Sequence, residues 1–123
     1  MYSFKEFLKE DTQILTEMSN LRKNQTGLPV NIWVDDIGVE RKSKHNQPRI
    51  KFQNDNADRM HEETISMSIS ENPEILQKNQ KINISNEDVN KIKKFIKLNK
   101  NVLIEYWNQN IELLELFKRI KKI

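Results

Sequence analysis

Metal binding or acid–base catalysis in this chain would have to begin from His45 and His61, the only imidazoles present. Carboxylates at Asp55, Asp58, Glu62 and Glu63 lie near enough in sequence to complete a ligand set. A divalent metal needs both imidazoles and a carboxylate to converge on one point. His45 precedes one strand-like run and His61 the next. In a simple antiparallel meander those two starts lie at opposite ends of adjacent strands, so the histidines read as loop residues. There is no cysteine, which excludes disulfides and thiolate zinc sites. Gly27 and Gly38 are the only glycines and make no phosphate-cradling loop. No serine occupies a nucleophile elbow. Asp35–Asp36 and Glu62–Glu63 are sequence neighbours, and neighbours in a strand point to opposite faces. The expectation is a protein that is not an enzyme and uses no metal or cofactor.

Binding chemistry is better represented. The stretch "KHNQPRIKF" at 44–52 follows Arg41 and Lys42, so that Arg41, Lys42, Lys44, His45, Arg49 and Lys51 form a basic run. Such a run grips a nucleic-acid backbone, and Trp33 would add a stacking face if it lay exposed beside it. The plainer reading is an edge strand guarded by charge against edge-to-edge pairing. Residues 78–123 carry 11 basic and 5 acidic side chains within an overall charge of +3. Their lysines are spread around a helix, which reads as a solvated face. A second candidate surface is apolar. Leu113, Leu116 and Phe117 make the last helix more hydrophobic than a solvent-facing tail needs. A patch left exposed there would dock a partner or a second copy of the chain.

The elements that must position these residues are legible from periodicity. Ser3 with Glu6 is a capping-box signature, and Phe4, Phe7, Leu8, Leu15, Met18 and Leu21 recur at helical spacing. This predicts an N-terminal helix that ends before "NQTGLP" at 24–29, where Gly27 and Pro29 break it. The period then falls to two. Val30, Ile32 and Val34 alternate with Asn31, Trp33 and Asp35, and Trp33 falls on the opposite face, which must be covered in part. Ile50 and Phe52 mark a second strand, with Pro48 at its entrance as an edge strand allows. Ile65, Met67 and Ile69 mark a third strand, and "KINIS" at 81–85 a short extended piece. Ser85 and Asp88 cap a helix over about 86–108 with an apolar stripe from Val89 to Trp107, in which Tyr106 and Trp107 read as core. Ile111 to Ile120 form a short final helix.

A length of 123 residues, 36% of them hydrophobic and 32% charged, fits one compact domain with a small core and a strongly solvated surface. The predicted architecture is α+β. An N-terminal helix precedes a three-stranded antiparallel meander, which packs on a long amphipathic helix and is followed by a short C-terminal helix. Residues 1–25 would be a helical extension and residues 26–123 the domain. No run approaches a membrane span, and "MYSFKEFLKED" lacks the apolar core of a signal peptide, so a cytoplasmic protein is expected.

The pieces "TGLPVNIWVDD" at 26–36, "KHNQPRIKF" at 44–52, "RMHEETISMSIS" with the following proline at 59–73, and "LNKNVLIEYWNQNIELLELF" at 98–117 stand out together. In these the chain resembles a family of small bacterial and phage proteins known as a domain of unknown function. The resemblance implies a Thr-Gly-Leu-Pro start, a strand with tryptophan, and a helix ending in Tyr-Trp. Members often carry a glycine after that tryptophan, where this chain has Asn108. The N-terminal segment resembles the openings of T4-like phage proteins, and Leu15-Thr16-Glu17 is similar to the sites their prohead proteases cut. Removal of the first 17 residues and passage in the virion would follow from that likeness. The leading functional expectation is a small phage or mobile-element module that binds an unknown protein in the host cytoplasm. Nucleic-acid binding through the basic strand is the alternative. A metal-dependent enzyme is the third class, and elemental analysis of the purified protein would reveal its metal.

Overall fold

A computed structural model of the chain describes residues 19–34, 47–60, 63–77 and 79–123. The elements are β1 (Ser19–Leu21), α1 (Lys23–Thr26), β2 (Ile32–Val34), β3 (Arg49–Gln53), β4 (Thr64–Ser68), α2 (Asn86–Leu98), α3 (Lys100–Trp107) and α4 (Leu113–Arg119). The class is α+β, as expected. Among the described residues the sheet has four strands rather than three, in the order β1-β2-β3-β4, each antiparallel to the next. The added strand is β1, which pairs Asn20 with Trp33 and Leu21 with Ile32. It lies in the stretch read as the end of a helical extension; there Ser19–Leu21 instead join the sheet and Lys23–Thr26 form the short helix α1. The earlier part of that expected helix, residues 1–18, lies outside the described residues.

Alternation assigns the two faces. Leu21, Ile32, Phe52 and Ile65 stand in one cross-strand row, and Ile50 faces Met67 in another. These side chains are buried with Val89, Ile92, Phe95 and Ile96 of α2, Val102, Leu103 and Tyr106 of α3, and Leu116 of α4. At 25–30 cal/mol per Å², burying each such side chain stabilises the fold by roughly 1.5–3 kcal/mol. The opposite face carries Asn20, Trp33, Lys51 and Ser66 in register. Trp33, Gln53, Ser66 and Ser68 are all buried there, so this side is covered too.

β3 is an interior strand, not the edge strand expected from its charges. Pro48 is tolerated because it precedes the first paired residue, where no ladder N–H is required, and its carbonyl accepts from the Ile69 N–H at 3.0 Å. The free side of β4 is lined by the chain at 74–77. The Ser68 N–H donates to Glu74, the Leu76 N–H donates to Ser66, and Ile75 bridges Met67. Main-chain groups that would otherwise template another strand are thereby used.

Ser85 caps α2 as its sequence predicts, its hydroxyl accepting from the Asp88 N–H at 3.1 Å. The single long helix does not form. Asn99 separates α2 from α3 with φ −109° and ψ 15°, and its buried side chain faces residues far along the chain. α3 ends at Asn108 in a Schellman motif. The Asn110 N–H donates to Glu105 and the Gln109 N–H to Tyr106, with Gln109 at φ 62°. Left-handed geometry costs a residue with a β-carbon about 1–2 kcal/mol. The strain falls on Gln109, one position beyond Asn108, where family resemblance would have looked for glycine. Gln109→Gly is therefore expected to stabilise the fold by about 1 kcal/mol, read as a higher urea midpoint at unchanged slope.

Irregular chain is held by buried carboxamides, because each buried backbone N–H and C=O outside the ladders needs a partner. The Asn54 side chain accepts from the Asn83 N–H at 2.8 Å and donates to the Lys81 carbonyl at 2.9 Å. Part of the expected extended piece at 81–85 is thus paired with a side chain rather than a strand. Gln53 donates to Asp55 Oδ1, the Ala57 carbonyl and the Arg59 carbonyl at 2.9, 3.1 and 3.1 Å. Asn31 reaches the same turn at Asp58 and accepts from the Lys23 N–H. Lys23 Nζ completes the tie through the Asn56 carbonyl and Asp58 Oδ1. This hydrogen bond holds the Asp58 carboxyl below the usual carboxylate range.

Candidate docking site

The basic surface expected around β3 is not assembled as a stacking platform. Trp33 is only 5% exposed and offers no face to a base. Arg49 and Lys51 are half-buried, and partial burial lowers the Arg49 guanidinium from its ordinary range. Arg41, Lys42, Lys44 and His45 lie outside the described residues, as does His61. Among the described residues no three His, Cys, Asp or Glu side chains gather closely enough to hold a metal ion.

The apolar surface expected on the last helix is real but redistributed. Leu116 is fully buried and Leu113 packs against the core, so these two hold α4 to the body instead of facing a partner. Phe117 remains partly exposed, and Leu114 is 71% exposed. Helix geometry explains the split. Leu113 and Leu116 are three apart on the inward face, while Leu114 and Lys118 are four apart on an outward one.

Beside α4 the end of α2, the start of α3 and the chain after α4 enclose an open groove of about 500 Å³. Its lining includes Leu98, Asn101, Val102, Lys118, Ile120 and Lys121. Leu98 is 49% exposed, which places a large aliphatic surface in solvent at the groove. Leu98 was expected within the apolar stripe; its position roughly 120° around the helix from Ile92, the centre of that stripe, is the signal that sets it apart.

Two contacts build the groove's far wall. Asn99 Nδ2 donates to the Lys121 carbonyl at 3.0 Å and Asn99 Oδ1 accepts from the Lys121 N–H at 2.8 Å. The carboxamide thus pairs with the backbone of one residue much as a neighbouring strand would. Arg119 meets Glu105 of α3 through both guanidinium nitrogens, at 3.1 and 2.6 Å. That hydrogen bonding lowers the Glu105 carboxyl and raises the Arg119 guanidinium. Any stability from this exposed pair is present above the ordinary Glu range and is lost as pH falls through the lowered Glu105 value.

Past the wall, the Ile123 N–H donates to the Thr26 carbonyl at 2.9 Å. Gly27, at φ 79°, leaves room for this contact, because a β-carbon there would lie 2.5 Å from the Ile123 carbonyl oxygen. The chain at 120–123 therefore bridges Asn99 in the helical layer and the end of α1, which links β1 to β2.

Charge at the groove is one-sided. The side chains of Lys118 and Lys121 make no ion pair with any described residue, and Glu105 is occupied by Arg119. Lys94 stands one helical turn before Leu98, and with Lys97 it extends the positive field along α2.

Among the described residues, fold and groove define an α+β protein whose four-stranded antiparallel meander packs on helices. No family model matches the chain, and no curated protein or solved structure shows significant similarity to it.

Proposed function

We propose that this protein is a non-enzymatic binding module of a phage or mobile element that acts through protein–protein contact. Its docking surface is the groove beside α4, continued by Leu114. The observation that supports this most directly is the exposure of Leu98 in a groove that Val102 and Ile120 also line. Aliphatic surface exposed in a concave site gains free energy when a partner covers it. The proposed setting is the host cytoplasm or the virion. No described helix is long and apolar enough to cross a membrane.

The test is affinity purification with wild-type protein and with Leu98→Asp, each checked for an unchanged circular dichroism spectrum. Proteins retained by the wild type and lost from the variant are the expected result. Identical recovery from both proteins overturns the reading. Salt-sensitive DNA or RNA binding that Arg49→Ala with Lys51→Ala abolishes would move the function to the basic strand.

A further inference from the structure

We infer that the occupant of this groove is an acidic amphipathic segment of a protein partner. It sets an aliphatic side chain over Leu98 and Val102 and its carboxylates against Lys118 and Lys121. The inference rests on the proposed docking role and adds the chemistry of the partner.

Three features of the groove point the same way. Its apolar lining is aliphatic, supplied by Leu98, Val102 and Ile120, with no aromatic ring on which a nucleobase could stack. Its free charge is positive, because Lys118 and Lys121 have no ionic partner among the described residues and Arg119 uses up Glu105. Its polar wall is already satisfied, since the Asn99 carboxamide is committed to Lys121 and Phe95. What remains for a ligand is apolar contact in the middle and cation contact at the rim. Alternating leucine and glutamate on one face of a peptide supplies both.

The same charges disfavour a second copy of the chain. A two-fold contact through this face would set Lys118 and Lys121 of one copy near those of the other, with like charges opposed. A basic peptide meets the same repulsion. Electrostatic complementarity at the rim selects the partner and speeds encounter, while the apolar lining sets how long it stays.

The experiment is a ¹⁵N-HSQC titration of the full chain with a synthetic peptide that carries leucine at every fourth position and glutamate between. Two control peptides replace glutamate by glutamine or leucine by serine. The expected result is that shifts concentrate at residues 98–102 and 118–121. Affinity should fall about tenfold for the glutamine peptide and by a similar factor for Lys118→Glu with Lys121→Glu.

Equal binding of the glutamate and glutamine peptides at these residues overturns the acidic partner and leaves the docking role standing. Shifts elsewhere, or none with any peptide, also overturn it. The docking role itself then stands or falls on whether partner recovery depends on Leu98. A short DNA duplex that perturbs the same residues more strongly than the peptide would assign the groove to nucleic acid.

Discussion

Asn99→Leu is expected to destabilise the fold by about 2–4 kcal/mol and to release the chain at 120–123 from the body. Leucine shares asparagine's branched four-heavy-atom skeleton, so the change removes hydrogen bonds rather than opening a cavity. The Lys121 N–H and C=O lose their partner together, and both are only part-buried when paired with Asn99. The helix loses the side-chain bond from Asn99 to the Phe95 carbonyl as well. Lys121 is exposed, so water takes the place of the lost carboxamide and nothing then holds the tail against α2, which unmakes the far wall of the groove. Hydrogen exchange should therefore lose protection at residues 120–123 before it changes in β2 to β4. A variant of unchanged midpoint with a protected tail would show that the Asn99–Lys121 pairing contributes nothing. Because the tail also carries Lys121, and Asn99 itself lines the groove, the same variant should weaken the binding of any ligand of the groove.

Gln53→Leu is expected to cost about 3 kcal/mol and to loosen the turn at 54–60. Gln53 is completely buried, and its amide nitrogen serves Asp55, Ala57 and Arg59 at once. Its carbonyl oxygen accepts from Asn31 Nδ2 at 3.4 Å, so the second carboxamide loses a partner too. An aliphatic side chain fills most of the space but removes a donor from Asp55 Oδ1 and from the Ala57 and Arg59 carbonyls. The readout is a lower urea midpoint together with faster exchange at Ala57, whose N–H is held by Asp55 at 3.0 Å. Retained protection at Ala57 would mean that the Asx turn stands without Gln53. Because the turn is also tied to Lys23, Pro29 and Asp88, its loosening should spread to α1 and to the start of α2.

These two residues mark the boundary between local and long-range information. Alternation at Ile50 and Phe52, and at Ile65 and Met67, sufficed for β3 and β4, because one buried face imposes a period of two on any strand. Ser85 with Asp88 sufficed for the start of α2, since a cap is a contact across three residues. β1 is different. It spans only three residues, too few to display a period, and Leu21 continued the helical spacing of Leu15 and Met18. Its pairing with β2 is a tertiary contact across the turn at Gly27.

The candidate site follows the same division. The apolar character of 111–120 was visible, and Phe117 kept its exposure, but which of these leucines faced inward depended on how α4 rotates against the core. Trp33 has the chemistry of a stacking residue and was expected on the partly covered side of the sheet, and only the fold shows it buried.

By itself the sequence determined the α+β class, three of the strands, the cap of α2, the absence of thiol chemistry and the basic balance of the C-terminal third. The tertiary structure decided the fourth strand, the break at Asn99 and the groove between Leu98 and Lys121. The physical reason is reach. Periodicity and caps act over a few residues and are written in consecutive letters. A buried carboxamide chooses its partner across the fold, 22 residues away for Asn99 and Lys121.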